Sequence, residues 1–513
     1  MPEPLEVVIL GGGTAGWTAA AVLASFLPRE RASIRLVESE EIGIVGVGEA
    51  TLPHIRTLNN AIGVDEAAMM RATQATFKLG IQFVDWGYVG SRYDHPFGVH
   101  GGPGAGQSFH HQWLRAAANG LSASVEEFSY AIMAAEQDRF DFPDERKTSL
   151  KSTYDYAYHF DASLYAAFLR RMAEERGAIR TEGKVQSVEQ NPRTGDVSAL
   201  VMESGERIAG DFFIDCSGFR SLLLGDTLGV EWEDWSKWLP CDRALPVPTE
   251  RTGDLHPYTR VTAMQAGWRW RIPLQHRTGN GYVFSSAFID EDKAAEELLS
   301  ALDEPKLAEP RLLKFQAGRR ARSWQRNCVA IGLSSGFLEP LESTSIYLIQ
   351  VAVMNLLPLF PAARHDQRVA DEFNRRMDVE YERIRDFLIL HYHLNSRDDS
   401  EIWRYCRAME VPDSLKRKMS LFSHCGYIEQ YKDGLFSPAS WLSVYLGQGL
   451  KPAHYNPLAD VIPLDRLIDN LEELRTEIRD QVEEMPKHAT FVGRYADAAG
   501  ASSAALHQAE ARL

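Results

Sequence analysis

The chain has 513 residues, and 55 Lys and Arg against 71 Asp and Glu give it a net charge of −16. This length exceeds the roughly 250 to 300 residues at which one hydrophobic core stops growing, so two lobes are expected. The acidic balance, with no basic block, excludes a protein that binds along nucleic-acid phosphates.

No stretch is typical of a membrane or secreted protein. The apolar residues 7–27 follow Glu3 and Glu6 instead of a basic region, and the apolar run 346–360 is too short to cross a bilayer. The cysteines are scattered without a C-x-x-C pair, as is typical of thiols in a reducing compartment. They are Cys216, Cys241, Cys328, Cys406 and Cys425. We therefore expect a cytoplasmic protein with no membrane contact.

The first predicted elements are a strand, a glycine turn and an alanine-rich helix in "VVILGGGTAGWTAAAVLASFL". Gly11, Gly13 and Gly16 fill the pattern G-x-G-x-x-G, and Glu38 ends the next strand-like run, "SIRLVES". Such a turn brings a pyrophosphate to a helix N-terminus, and the acid binds ribose hydroxyls. The pattern predicts an adenine dinucleotide site; the alternative is a turn that only packs a helix on a sheet.

Two later segments repeat the change from strand to small-residue turn. Asp215 ends an apolar strand before Ser217 and Gly218, and Gly332 follows the strand in "RNCVAIGLSS". Flavoprotein oxygenases return to the nucleotide late in the chain, whereas nicotinamide dehydrogenases usually complete their site in one contiguous fold. This analogy at the level of the fold favours FAD.

Seven segments, in chain order, carry a family resemblance. They are "GGGTAGW" at 11–17, "GVGEAT" at 46–51, "FKLGIQFVDW" at 77–86, "HPFG" at 95–98, "GWRWRIP" at 267–273, "GLSSGFLEPLEST" at 332–344 and "SRDDS" at 396–400. From residue 7 to about residue 400 the chain resembles the flavin-dependent halogenases, in particular the tryptophan halogenases. W-x-W-x-I-P after a G-x-G-x-x-G start is highly specific to them.

The resemblance implies an α/β fold: a FAD-binding, Rossmann-like flavoprotein monooxygenase fold with a mixed β-sheet and a helical C-terminal part. It implies that a separate NAD(P)H-dependent flavin reductase supplies FADH2, and that O2 and halide then give hypohalous acid. This acid passes through an internal tunnel to an essential lysine beside the aromatic substrate. A homodimer stays open.

The resemblance also implies roles for individual residues. The catalytic pair is Lys78 and Glu342, and halide binds at Thr344 and Ser345. The expected FAD contacts are Gly11, Gly13, Thr14, Ala15, Gly16, Glu38, Glu49, Ala50, Val185, Leu333 and Ile346. The expected substrate contacts are His95, Phe97 and Trp441, and the barrier or tunnel residues are Trp268, Trp270, Ile272 and Pro273.

Physical chemistry leaves an alternative open for several of these residues. Lys78 fits a surface lysine with an extended stem as well as a reactive ammonium. Trp268 and Trp270 are two residues apart, so on a strand they share one face, either as core aromatics or as a wall between flavin and substrate. Ser343, Thr344 or Ser345 fits an ordinary helix N-cap as well as part of an anion site. The four histidines His95, His100, His110 and His111 match no standard ligand spacing, so no metal is predicted.

Two departures from the family bear on specificity. After about residue 430 the chain reads "YIEQYKDGLFSPASWLSVYLGQGLKP", without the lid residues that hold the ammonium and carboxylate of tryptophan. We therefore expect indole or an indole derivative to be a better substrate than free tryptophan. Ser345 stands where the family usually has glycine, and bromide is modestly favoured over chloride.

The predicted architecture is a FAD-binding domain over 1–350 interwoven with a substrate-side β-sheet, a mostly helical substrate-side region over 351–495, and a frayed tail over 496–513. Apolar residues at steps of three and four in "EFNRRMDVEYERIRDFLILHY" and "LDRLIDNLEELRTEIRDQVEEM" predict long helices. Two other functions stay open: a flavin-dependent aromatic hydroxylase or epoxidase, and a non-catalytic FAD-binding redox protein.

Overall fold

A computed structural model describes residues 4–41, 48–104, 109–361, 366–431 and 434–495. The tail 496–513, for which fraying is predicted, lies outside them. The described residues fall into two compact units, each made of three stretches of chain. The first unit lies within Met1–Gln74, Phe160–Arg243 and Leu313–Glu382, and the second within Ala75–His159, Ala244–Leu312 and Arg383–Leu513. The domain limits at residues 350 and 495 stay a prediction.

The strands occur throughout the chain up to residue 337. They are β1 (Leu5–Leu10), β2 (Ala32–Glu38), β3 (Gly48–Ala50), β4 (Thr76–Lys78), β5 (Gly80–Val84), β6 (Arg92–Pro96), β7 (Ala157–Asp161), β8 (Ile179–Glu182), β9 (Val185–Gln190), β10 (Val197–Met202), β11 (Arg207–Ala209), β12 (Phe212–Asp215), β13 (Trp232–Asp234), β14 (Arg243–Thr249), β15 (Tyr258–Ala263), β16 (Gly267–Pro273), β17 (Thr278–Phe284), β18 (Leu313–Lys314), β19 (Gly318–Arg320), β20 (Trp324–Gln325), β21 (Cys328–Ala330) and β22 (Gly336–Phe337).

Helices account for most of the described residues after Thr344. The α-helices are α1 (Thr14–Phe26), α2 (His54–Ala61), α3 (Glu66–Thr73), α4 (Phe109–Ala118), α5 (Tyr130–Glu136), α6 (Ala162–Glu175), α7 (Glu291–Ser300), α8 (Thr344–Leu356), α9 (Gln367–His393), α10 (Glu401–Ala408), α11 (Asp413–Cys425), α12 (Pro438–Gly447) and α13 (Leu464–Glu484). A last helical segment covers 488–495. The two long helices predicted from apolar periodicity are confirmed as α9 and α13.

The main sheet of the first unit has the strand order β20-β21-β12-β1-β2-β8. All neighbours in it are parallel except the β20–β21 pair. Parallel strands end at the same edge of a sheet, so the residues that follow β1, β2, β12 and β21 meet at one edge. On this sheet Val8, Leu10 and Val37 share a buried core with Leu200 and Ile208 of the antiparallel sheet β9–β11.

The larger sheet of the second unit runs in the order β14-β17-β16-β15-β5-β6. Strand β16 is antiparallel to both β15 and β17, whereas β15 is parallel to β5, so the sheet is mixed. Next to it, β4 pairs antiparallel with β7. The mixed α/β architecture with a helical C-terminal part confirms the predicted fold class. Among the described helices, none combines the length and apolarity needed to span a bilayer.

Candidate active site

The glycine turn between β1 and α1 has a shape that two of its glycines make possible. Gly11 has a φ of +113°, and a Cβ built on it would lie 2.2 Å from the carbonyl oxygen of Cys216. A Cβ on Gly16 would lie 1.8 Å from the carbonyl oxygen of Gly11. Both contacts are impossible for alanine, so the turn lies tightly against the end of β12 and the start of α1.

Gly13 differs from its neighbours because it faces open space. It is the N-cap residue of α1, its φ is −75°, and no side chain caps the helix there. Within the described part of the chain, a Cβ on Gly13 would meet nothing within 4 Å. The first N–H groups of α1 and its positive dipole end are therefore accessible to an anion, as a pyrophosphate requires. Thr14 and Ala15, on the same turn, are half-buried.

Glu38 lies at this turn, as predicted. A Cβ on Gly12 would coincide with the Glu38 carboxylate, so the side chain lies directly over the turn. Arg180 donates a hydrogen bond to it, and the indole N–H of Trp17 donates another at 3.3 Å. Sequence reasoning missed Arg180, which comes beside β2 because β8 pairs in the register Leu36↔Arg180. The carboxylate is thus held where ribose hydroxyls would bind.

The two later strand-to-turn segments converge on the same edge. The Asp215 carboxylate accepts hydrogen bonds from the backbone N–H groups of Leu223 at 2.8 Å and Leu224 at 2.9 Å, which fixes the turn after β12. After β21, a Cβ on Gly332 would lie 2.9 Å from the Cβ of Ala15 on α1. The turns after β1, β12 and β21 therefore meet at one place, as the FAD prediction requires.

The remaining predicted FAD contacts all belong to the first unit. Ala50 and Ile346 are buried, Glu49 and Leu333 are half-buried, and Val185, the first residue of β9, is partly buried against the core that contains Val8 and Leu200. Burial raises the pKa of Glu49 to about 7, so this carboxyl can donate a hydrogen bond at neutral pH. Their contact with FAD stays a prediction.

The stretch "LEST" forms a turn that leads into α8. Residues Pro340–Glu342 make one turn of 3-10 helix, and the Glu342 side chain is fully buried. Ser343 is the N-cap residue with a φ of +59°, and its side chain makes no capping hydrogen bond within the described residues. The hydroxyl of Thr344 is buried and has no hydrogen-bond partner there either, whereas Ser345 is half-buried. The positive end of α8 is therefore not neutralised by a serine or threonine side-chain cap, which favours an anion site over an ordinary N-cap.

Lys78, in the second unit, is fully buried. It ends β4 opposite Ala157 of β7, and its ammonium lies 4.9 Å from the ring centroid of Phe97. The alternative of a surface lysine with an extended stem is therefore wrong. A cation over an aromatic face is stabilised by the ring quadrupole, which partly offsets the loss of water.

The predicted substrate residues lie in one aromatic cluster of the second unit. The ring of His95 on β6 and that of Phe97, which directly follows β6, are 6.4 Å apart, and His95 is 5.7 Å from Phe387 of α9. Phe387 stacks on Phe436 at 3.8 Å and lies 5.1 Å from Trp441. Sequence reasoning missed Phe387 and Phe436; the apolar periodicity of α9 places Phe387 on a buried face, but no motif marks it.

Trp441 is 2% exposed, and its indole N–H has no hydrogen-bond partner among the described residues. The ammonium of Lys418 lies 4.9 Å from its ring centroid and donates to Asp386 at 3.1 Å. A buried N–H without an acceptor is costly, so Trp441 is suited to donate to a bound molecule.

The predicted wall has the expected alternation. Trp268, Trp270 and Ile272 are buried on one face of β16, and the two indole rings are 6.1 Å apart. Arg269 and Arg271 point to the other face, where they bond to the Ala301 carbonyl and Glu304. The Pro273 carbonyl, at the end of the strand, accepts a hydrogen bond from Thr76 of β4 at 2.7 Å. This hydrogen bond joins β16, the wall strand, to β4, the lysine strand, within the second unit.

The histidine group has no metal-binding geometry. Among the described residues no three His, Cys, Asp or Glu side chains come together in a way that could hold a metal ion. Burial, with smaller effects of His110 and His95, lowers the pKa of His100 to about 4, so this imidazole is neutral at pH 7.

The parallel sheet, the glycine turn and the accessible start of α1 define a dinucleotide-binding α/β protein. The second unit adds a buried lysine beside an aromatic cluster.

Comparisons with known proteins agree with this class. Residues 6–464 match the family described as "Tryptophan halogenase". The chain is 47% identical to Xcc4156, a flavin-dependent halogenase from Xanthomonas campestris, over 96% of this chain and 98% of that one, with a TM-score of 0.93. It is 46% identical to BrvH, a flavin-dependent halogenase from Brevundimonas sp. BAL3, over 96% and 100% of the two chains, with a TM-score of 0.92. It is 35% identical to the tryptophan 6-halogenase SttH of Streptomyces toxytricini, over 95% of this chain and 98% of that protein.

The chain belongs to the tryptophan halogenase family and is a flavin-dependent halogenase. The predicted family and fold are therefore confirmed. Enzymes of this family typically work with a separate flavin reductase.

The open position at Gly13 gives a test of the FAD site. We expect Gly13→Ala to fold normally, because nothing in the described chain lies within 4 Å of the new methyl group. If a pyrophosphate binds there, the methyl group weakens FAD binding about tenfold to a hundredfold, as for loss of one charge-assisted hydrogen bond. Quenching of FAD fluorescence measures the dissociation constant. Gly493→Ala, which also meets open space but lies in the last helical segment, is the control; equal FAD affinity of both variants would contradict the site.

Proposed function

We propose that this flavin-dependent halogenase transfers halogen through Lys78 to an electron-rich aromatic such as indole. The observation that carries the proposal is the burial of the Lys78 ammonium 4.9 Å from Phe97, in the unit that also holds His95. Lysine is rarely fully buried, because desolvation disfavours its charge, so a buried ammonium beside an aromatic ring is a candidate for a reacting group. Hypohalous acid and an aromatic C–H would give aryl halide and water.

The first unit would bind FAD. The turn at Gly11, Gly13 and Gly16 accommodates the pyrophosphate, Thr14 and Ala15 offer backbone N–H groups, and Glu38 binds the ribose. Glu49, Ala50, Val185, Leu333 and Ile346 would line the rest of the cofactor. When bound in its reduced form, FAD would supply the O2 activation that oxidises halide to hypohalous acid.

Halide would bind at the start of α8. The backbone N–H groups of Thr344 and Ser345 lie at the positive end of this helix, where an anion is favoured. A carboxylate aimed at halide would repel it, so Glu342 would serve the other part of the reaction, in which positive charge has to be stabilised. Its complete burial is consistent with a group that water does not screen.

Lys78 would control where the halogen is delivered. Its ammonium can hydrogen-bond hypohalous acid and polarise it, or lose a proton and form a haloamine. Trp268, Trp270, Ile272 and Pro273 would form the barrier that keeps oxygen chemistry at the flavin away from the substrate. In a hydroxylase or epoxidase, and in a non-catalytic FAD protein, such a lysine would have no task.

The substrate would bind against His95, Phe97 and Trp441. These residues and Phe387 form a buried aromatic cluster, in which a flat ring gains roughly 0.5 to 1.5 kcal/mol from stacking. Relatives of this chain are named as tryptophan halogenases, which supports an indole ring as its substrate class. The lack of the lid residues favours indoles without the amino-acid group.

A separate NAD(P)H-dependent flavin reductase would supply FADH2, as is typical of the family. A cytoplasmic location is consistent with the cysteines, none of which forms a disulfide among the described residues. A homodimer stays open.

Replacing Lys78 tests the proposed transfer step. We expect Lys78→Met to lose at least about a hundredfold in halogenated product, because no group remains to hold hypohalous acid at the substrate. Consumption of reduced flavin and O2 should continue, and a phenol scavenger should collect the hypohalous acid. Lys293→Met, at an exposed lysine of α7, is the control. Normal halogenation by Lys78→Met would reject the role of this lysine.

Substrate preference is tested by comparing free tryptophan, indole and 3-methylindole. We expect kcat/KM for tryptophan to be at least about tenfold lower, since the charged ends of the amino acid lose their hydration without gaining charge-assisted hydrogen bonds. 3-Methylindole, which has the same ring without the charged groups, should behave like indole. Equal kcat/KM values for all three compounds would refute this preference.

Halide preference is tested by competition between equal chloride and bromide, read by mass spectrometry. We expect more brominated product, because bromide is less strongly hydrated and more easily oxidised. Ser345→Gly should lower the ratio of bromide to chloride products, since glycine lets the backbone approach the smaller ion more closely. Ser163→Gly, at the second residue of α6, is the control. An unchanged ratio in Ser345→Gly would show that Ser345 does not set halide choice.

A further inference from the structure

A buried hydroxyl and imidazole network holds one face of β4, the three-residue strand that ends in Lys78. Thr76 lies two residues before Lys78, so both side chains are on the same face. The Thr76 hydroxyl is 2.7 Å from the Pro273 carbonyl oxygen and 3.2 Å from Nδ1 of His159. The other ring nitrogen, Nε2 of His159, is 2.9 Å from the hydroxyl of Thr259. Thr76 and His159 are completely buried.

Only one assignment of the protons gives every hydrogen bond in this network a donor and an acceptor. The Pro273 carbonyl can only accept, so the single Thr76 proton is donated to it. Nδ1 of His159 must then carry the proton that is donated to the Thr76 oxygen. Burial, and after it the charge of Lys78, lowers the pKa of His159 well below its ordinary value, so the ring is neutral. Nε2 therefore accepts the proton of Thr259.

A second histidine holds the backbone of the same strand. The N–H of Phe77 donates to Nε2 of His488 at 3.1 Å, and Nδ1 of His488 lies 2.6 Å from the Leu255 carbonyl oxygen. Because a carbonyl can only accept, Nδ1 carries the proton and Nε2 is the acceptor. Burial lowers the pKa of His488 to about 4. His159 and His488 are thus neutral imidazoles with the same proton position.

The two imidazoles therefore hold β4 from two directions. His159 lies opposite Thr76 in the β4–β7 pair and, through Thr76 and Pro273, connects the lysine strand to the wall strand β16. His488 satisfies a backbone N–H in the middle of β4, and the Phe77 ring beside it stacks on Phe140 at 4.1 Å. A strand of only three residues has few ladder hydrogen bonds of its own, so its position depends on these side chains.

We propose that His159 and His488 are positioning residues for Lys78, and that they clamp β4 on the wall strand so that the ammonium stays at one fixed place. This proposal rests on the proposed role of Lys78 in halogen transfer. Neither imidazole needs to touch the substrate or FAD. A lysine displaced by about 1 Å would still be buried but would capture hypohalous acid poorly, at a cost of up to about a hundredfold in rate.

The test measures how hypobromous acid divides between indole and a phenol scavenger in the complete reaction with FAD, flavin reductase, NADH, O2 and bromide. We expect His159→Leu and His488→Leu to oxidise reduced flavin normally but to give about tenfold or more less bromoindole, with the difference found on the scavenger. His159→Asn keeps an N–H near the position of Nδ1, and His488→Gln keeps an oxygen acceptor near the position of Nε2. Both should restore most of the bromoindole.

Thr76→Val supplies a milder change if a histidine variant fails to fold. It removes the hydroxyl without changing the shape and should also shift hypobromous acid to the scavenger. Thr278→Val is its matched control, because Thr278 lies opposite Pro273 on β17 and its buried hydroxyl has no partner among the described residues. This control should behave like wild type.

Two outcomes would overturn the clamp. One is unchanged division of hypobromous acid in Thr76→Val and in both leucine variants. The other is a parallel fall in flavin oxidation and bromoindole that the asparagine and glutamine variants do not reverse, which would indicate a purely structural role. If instead Lys78→Met still brominates indole normally, the proposed function itself fails.

Discussion

The second unit is organised around a lysine ammonium that has no access to water. Burial of an ammonium costs several kcal/mol unless other groups compensate, and the Phe97 ring, 4.9 Å from the Lys78 ammonium, is one such group. The ammonium must also stay at one place, and the three-residue strand β4 is too short to supply that rigidity by itself. Its hydrogen bonds to His159, His488 and the Pro273 carbonyl, and the aromatic packing of Phe77, supply it instead.

The proposed FAD and halide sites of the first unit share a different constraint, which is close approach of the backbone to an anion. At both sites a helix begins without a side-chain cap within the described residues. At α1 the opening is made by Gly13, and at α8 by Ser343 in a left-handed conformation ahead of Thr344 and Ser345. In the proposed function the two units would carry different parts of the chemistry. One would bind FAD and halide, and the other would hold the lysine that receives the oxidant.

Local features of the site could be predicted from the sequence, because neighbouring residues carry them. The turn at Gly11 to Gly16, the shared face of Trp268 and Trp270, and the helix after Ser343 follow from short-range spacing. Phe387, Arg180 and the two histidines could not be predicted in the same way. His488 accepts a hydrogen bond from a backbone N–H that is 411 residues away in the chain. Neither the residues next to His488 nor any hydrophobic periodicity around it indicates this contact. Resemblance supplied Lys78, whose own sequence neighbours fit a surface lysine equally well.

The proposed reaction puts halogen, and not oxygen, on an indole-type ring. The most direct measurement is mass spectrometry of the product formed from indole by the protein with FAD, a flavin reductase, NADH, O2 and bromide. We expect monobromoindole with the pair of nearly equal mass peaks that natural bromine gives, and none when bromide is left out. A hydroxylated or epoxidised indole under the same conditions, with no brominated product, would contradict the proposed halogenation.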